Sequence, residues 1–160
     1  QIQFKEIFDH MAALYGLDDM QKDQLMQWEI EGELEAGIPL VPQISLLKKY
    51  IAEGNDIVLI SDMYLPKEVI VKLLQKADPL LATLPLYVSS EVGHQKTTRK
   101  LFLHVYSDLD YCYEKWIHIG DNRFADQVQP EMLGIQTAPI PVPTPQTGSA
   151  LHRKSSHIEW

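Results

Sequence analysis

The sequence predicts an α/β protein whose sheet is parallel and flanked by helices, and two observations carry that prediction. From residue 57 to residue 137, short apolar and β-branched runs alternate with helical patterns of about ten residues, and strands joined in this way lie parallel with both faces covered. Residues capable of chemistry also fall just beyond the carboxyl ends of those runs, the edge at which open α/β sheets place their ligands. The order is Rossmann-like, preceded by helices alone, with residues 1–37 as a helical region, 38–137 as the α/β core and 138–160 as a Pro-rich tail.

The elements follow in order. Phe4, Ile7, Phe8, Met11 and Leu14 recur at helical spacing, and Gly16 stops that helix. A second helix is expected over 19–35, with Leu25, Trp28 and Gly32 on one side and Glu29, Glu31, Glu33 and Glu35 as a solvated face rather than a metal site. A third carries Leu47, Tyr50 and Ile51 and closes at Gly54. Strands are expected at 57–60, 86–88 and 116–119, with a short last one at 135–137. Between them, Pro66 opens a helix bearing Val69, Ile70, Leu73 and Leu74; residues 97–106 form another with Leu101, Phe102 and Val105; and Ala125, Val128, Met132 and Leu133 belong to a last one closed by Gly134. Prolines at 139, 141, 143 and 145 forbid a helix or central strand and favour an extended linker.

Composition narrows the partners. At 160 residues the chain suits one domain with a real core, and 14 Lys+Arg against 22 Asp+Glu give a net charge of −8, which leaves no broad cationic surface for nucleic acid. No apolar run is long enough for a membrane span. The single cysteine, Cys112, excludes an internal disulfide and fits a reducing, cytoplasmic setting. The start at Gln1 rather than Met points to a fragment or a processed product.

Three loops at successive strand ends hold the chemistry. Ser61 and Asp62 follow the 57–60 strand, Lys96 follows the 86–88 strand, and Asp121 and Asp126 follow the 116–119 strand, where Gly120 turns the backbone sharply. A hydroxyl donates to a phosphate oxygen, an ammonium offsets its charge, and hard carboxylate oxygens hold Mg²⁺. Singly, Ser61 and Asp62 read as loop or helix caps and Lys96 as a solvated lysine; the coincidence of order, spacing and placement favours the joint site. Within the apolar strand His118 reads as a satisfied core histidine, His94 as a remote candidate for substrate contact, and Met63 and Tyr64 as pocket-shaping residues.

These residues resemble the haloacid dehalogenase superfamily of phosphohydrolases over about residues 1–137. Ile60-Ser61-Asp62-Met63 resembles the second motif of that family, Lys96 before a helix the third, and Gly120-Asp121-Asn122-Arg123-Phe124-Ala125-Asp126 the fourth. The helices of 4–36 resemble its helical cap. The resemblance implies Mg²⁺-dependent hydrolysis of a small phosphomonoester through an aspartyl-phosphate, with Ser61, Lys96 and Asp121 catalytic, Ser61, Asp62 and Lys96 on the phosphate, and Asp121 and Asp126 on the metal.

The first motif of the family, an apolar strand ending in Asp-x-Asp that supplies the nucleophile, is absent from this sequence. The one Asp-x-Asp, Asp108-Leu109-Asp110, is out of order and reads as a surface turn. In the resembled fold that first strand lies between the strands 57–60 and 116–119. Its lane is therefore expected to be vacant, to be filled by an upstream segment or a second chain, and to leave this chain unable to complete its sheet alone. The alternative is a catalytically inactive phosphate-binding or scaffold module attached to a glycosyltransferase, since Ser61-Asp62-Met63-Tyr64-Leu65 also resembles domains that accompany glycosyltransferases of bacterial envelope polysaccharide synthesis. A receiver-like binding domain is disfavoured, because a receiver carries its acidic pocket at the beginning of the chain.

Overall fold

A computed structural model describes residues 3–110 and 115–140. Cys112 and the tail beyond Ile140 lie outside the described residues. The first two helices, α1 (Phe4–Tyr15) and α2 (Asp19–Ala36), form a hairpin. Gly16 takes the left-handed conformation that ends α1, and the Asp18 carboxylate accepts from the Gln21 amide at the start of α2. Helix α3 (Val41–Ala52) follows, with Pro42 in its first turn, where an absent N–H costs no helical bond.

The α/β part then runs β1 (Leu59–Ser61), α4 (Lys67–Ala77), β2 (Leu86–Val88), α5 (Ser89–Val92), α6 (Lys100–Asp108), β3 (Ile117–Gly120), α7 (Gln129–Glu131) and β4 (Gln136–Pro139). The helix expected over 97–106 is split: a 3₁₀ turn, Lys96–Thr98, is separated from α6 by Arg99 at φ 65°. The helix expected after the last acidic loop begins as a π-helical turn, Arg123–Val128. Asp108 ends α6 and Asp110 takes φ 55°, the geometry of a turn at the helix end.

The fold is mixed α/β, with parallel strand pairing in two two-stranded sheets. Strand β1 pairs with β2, Leu59 opposite Leu86, and β3 pairs with β4, Ile117 opposite Gln136; the described residues form no ladder between β1 and β3. A cavity of about 640 Å³ lies along both strands, lined by Val58, Ile60, Ile117 and Ile119 and by Leu46 and Leu47 of α3. The tail boundary is also corrected, since Ala138 and Pro139 belong to β4. Gln136 and Ile140 donate to the carbonyls of Trp116 and Gly120, so in a parallel ladder the nitrogen of Pro139 faces away from β3 and its missing hydrogen costs no bond.

The main core places the hairpin on the α/β part. Phe4 and Phe8 of α1 are buried together with Leu65, Val69, Ile70, Leu86 and Val88, and Leu25, Met26, Ile30 and Leu34 of α2 pack against that cluster. The hairpin therefore sits over α4 and the loop after β1. Among the described residues no helix is long and apolar enough to cross a membrane.

Candidate functional site

Lys96 is the centre of the site, held at both ends by carboxylates from the loops after β1 and β3. Its backbone amide donates to both oxygens of Asp62, at 3.0 Å each, and its ammonium lies 2.5 Å from Asp126 Oδ1. Asp62 thus fixes where the turn of Lys96 begins, and Asp126 fixes where the side chain ends. The two contacts bring the loops after β1, β2 and β3 together at Lys96.

Asp126 is anchored by local backbone geometry. Asn122 caps the π-helical turn, its side-chain oxygen accepting from the amides of Phe124 and Ala125, while its own amide donates to Asp126 Oδ2 at 3.0 Å. Wide turns of this kind recur where a side chain must be re-aimed at a functional site. Gly120 is required by close approach, since a Cβ there would sit 2.4 Å from Asp126 Cβ and Cγ. The Asp126 side chain is 3% exposed, and His118 Nε2 lies 3.0 Å from the same Oδ1 that faces Lys96. Burial pushes the Asp126 carboxyl upward, but hydrogen bonds from His118 and Lys96, with the lysine charge, outweigh it and hold the group well below the usual carboxylate range. An ionised Asp126 accepts only, so His118 carries its proton on Nε2 and donates.

Two groups in these loops stay unengaged. The Ser61 hydroxyl and the exposed Asp121 carboxylate make no hydrogen bond to any described residue. Ser61 therefore keeps a free donor in the loop after β1, and Asp121 a free carboxylate in the loop after β3. Asp126, by contrast, has both oxygens committed to protein donors, and among the described residues no three His, Cys, Asp or Glu side chains gather into a metal-binding group. A Mg²⁺ ion needs several oxygen ligands. Among the described residues of these loops, Asp121 is the carboxylate left without a protein donor.

Three features escaped the sequence reading. The expected loop 89–96 opens with α5, whose buried Ser89 hydroxyl accepts from the Met63 amide at 3.0 Å and donates to the Met63 carbonyl at 3.3 Å, while Ser90 donates to the Leu65 carbonyl. The loop after β1 is thereby stapled to β2; the signal was a pair of adjacent hydroxyls at a strand end. Glu29 and Glu33 are not merely solvated: the Tyr64 hydroxyl donates to Glu29 at 2.6 Å and lies 3.2 Å from Glu33, and the Glu29 bond, with burial, raises the phenol above its usual range. His118 is a satisfied buried histidine, as expected, but its partner is the site residue Asp126. His94 is exposed, with Nδ1 at 3.1 Å from the Gly93 carbonyl, and touches none of these groups.

A second cavity, of about 450 Å³, lies between α1 and α2 and reaches Tyr64, with Phe8, Met11, Leu25 and Trp28 in its walls. No protein-family model matches the chain, and no curated protein gives a significant match.

Proposed function

We propose that the chain is a phosphomonoesterase domain of the haloacid dehalogenase type, with the α1–α2 hairpin as its cap over a Rossmann-like core. The observation that carries this reading is Lys96, clamped by Asp62 and Asp126 from the loops in which Ser61 and Asp121 stay unengaged. An ammonium, a hydroxyl and a carboxylate in loops that follow successive strands are the groups a phosphoryl group requires, which supports the reading.

In this reading Ser61 donates to one phosphoryl oxygen and Lys96 offsets charge on another. Asp62 acts through the Lys96 amide rather than on the phosphate, and Asp126 holds the lysine in place. A carboxylate on a segment outside this sequence attacks phosphorus as the P–O bond to the leaving group breaks and a neighbouring acid of that segment protonates the leaving oxygen; that acid, now a carboxylate, takes a proton from the water that attacks the aspartyl-phosphate, releasing inorganic phosphate and restoring the nucleophile. Mg²⁺ would lower the charge repulsion between nucleophile and phosphate, with Asp121 as its ligand from this chain and the remaining oxygens supplied by that segment and the substrate. A second reading, an inactive phosphate-binding module beside a glycosyltransferase, is favoured by the Lys96–Asp126 pair itself, because a lysine already neutralised at 2.5 Å attracts an anion less strongly.

The test is hydrolysis of assorted phosphomonoesters with Mg²⁺ by the chain together with an Asp-x-Asp strand segment. Lys96→Ala is expected to reduce turnover about 100-fold or more, as loss of a charged oxyanion donor does, and Ser61→Ala about tenfold. Binding of inorganic phosphate with no turnover of any ester would establish the second reading, and unchanged turnover in Lys96→Ala would remove the site.

A further inference from the structure

The cavity of about 450 Å³ between α1 and α2 has walls that select one kind of ligand. Phe8, Trp28 and Tyr64 give it three aromatic side chains, Met11 and Leu25 extend the apolar surface, and one carboxylate, Glu29, lines it as well. A space of this size, mostly apolar with one polar group, is that of a small-molecule site. Its charge is unbalanced, since no lysine or arginine is among the described residues that line it. Tyr64 donates to Glu29 Oε1 at 2.6 Å, a neutral donor that leaves the negative charge in place, and Glu33 stands 3.2 Å from the same hydroxyl. The lysines of the hairpin, Lys5 and Lys22, are both spent on Asp9. Trp28 is 60% exposed, so the packing of the hairpin leaves much of its indole unused.

We infer that this cavity binds a compound bearing a quaternary ammonium. Aromatic rings attract an organic cation through their negative faces, Trp most strongly, and a carboxylate adds a full opposite charge. A phenol that donates to an anion is itself polarised, which makes the Tyr64 ring a better partner for a cation. The alkylation of the nitrogen follows from the walls. A primary ammonium carries three N–H donors, and the one carboxylate of the lining is already shared with Tyr64, so donors would be left unmet against carbon. A quaternary nitrogen has no donor to satisfy, and its alkyl groups suit the surface of Met11 and Leu25. A neutral apolar ligand would fill the volume and leave the Glu29 charge uncompensated beside it. The inference stands apart from the phosphatase reading: a chain that hydrolyses no phosphomonoester would bind the cation all the same.

The test titrates the 160-residue protein with choline by calorimetry. Saturable binding is expected, with 3,3-dimethylbutan-1-ol, the neutral carbon counterpart, and ethanolamine, the primary counterpart, each at least tenfold weaker. Glu29→Gln keeps an oxygen that accepts from Tyr64 and removes the charge, and should weaken choline binding at least tenfold. Trp28→Leu keeps an apolar side chain at an exposed position and should weaken it about fivefold, as loss of one exposed cation–π contact does. Should either variant fail to fold, the three ligands decide on the parent protein. No binding of choline at millimolar concentration overturns the inference, as does either counterpart binding within twofold of choline, or both variants binding choline within twofold of the parent. Choline binding without sedimentation of the protein on phosphatidylcholine vesicles assigns a free compound as the source of the cation; sedimentation that choline competes away assigns a lipid headgroup.

Discussion

At the scale of single residues, Gly120 and Asp126 decide whether Lys96 is aimed. A methyl group at position 120 would meet Asp126 at 2.4 Å, and neither backbone nor a 3%-exposed carboxylate has room to yield. Gly120→Ala is expected to cost about 2 to 3 kcal/mol, the usual penalty of overpacking, read as a lower denaturant midpoint at unchanged slope. Asp126 also links stability to pH. Its folded pKa lies below the unfolded value of about 3.9, so its contribution is fully present above that value and is lost as pH falls through the folded pKa. Asp126→Asn should therefore be less stable than the parent at neutral pH, with the difference shrinking below about pH 4; a constant difference across an acid titration would show that the carboxylate charge is irrelevant.

At the scale of elements, α5 does more than its four residues suggest. Ser89, fully buried, and Ser90 bind the loop after β1 through Met63 and Leu65, and the Glu91 carboxylate accepts from the Lys67 amide at the start of α4. One short helix thus registers the loop after β1 and the start of α4 against β2. Ser89→Ala removes both bonds to Met63 and is expected to cost about 1 to 2 kcal/mol. In the phosphatase reading it should raise KM more than it lowers kcat, because the phosphate loop loosens while Lys96 keeps its Asp126 contact; equal loss in both would place Ser89 outside substrate binding. The hairpin is tied to the same loop by Tyr64, whose ring stacks on Phe4 with centroids 6.2 Å apart and whose hydroxyl reaches Glu29.

At the scale of the whole molecule the two sheets are held together by helices and by the Lys96 network rather than by a continuous ladder. Each unmatched amide or carbonyl costs about 1 to 3 kcal/mol where water cannot reach it, comparable over several groups to the stability of a domain. Ile117 is 48% exposed, so water reaches part of that edge and the cost is correspondingly smaller. The edges of β1 and β3 facing the lane are accordingly expected to exchange their amides faster than the edges facing β2 and β4, measured residue by residue in the isolated chain. Equal protection on both sides of each strand would mean that the lane is closed.

Hydrophobic periodicity and turn residues were enough to place most elements. The helix starting at Phe4 ends at Gly16, and the 86–88 strand falls on the predicted residues, because each depends on neighbours within a turn or two. The parallel pairing followed from the strand–helix alternation, and the gathering of Asp62, Lys96 and Asp126 from their positions after successive strands. What local sequence could not supply was the division of labour inside the site. Asp121 and Asp126 look alike in sequence, both carboxylates in a loop after a strand, yet one is exposed and free while the other is buried between Lys96 and His118. Likewise Glu29 differs from Glu31 only in which of them Tyr64 reaches across 35 residues of chain. Partner choice of this kind depends on how separate elements pack, and burial of a charge is settled only when a donor from another element arrives to meet it. The break between β1 and β3 belongs to the same class: local pattern made both strands, and only the tertiary arrangement left a lane between them.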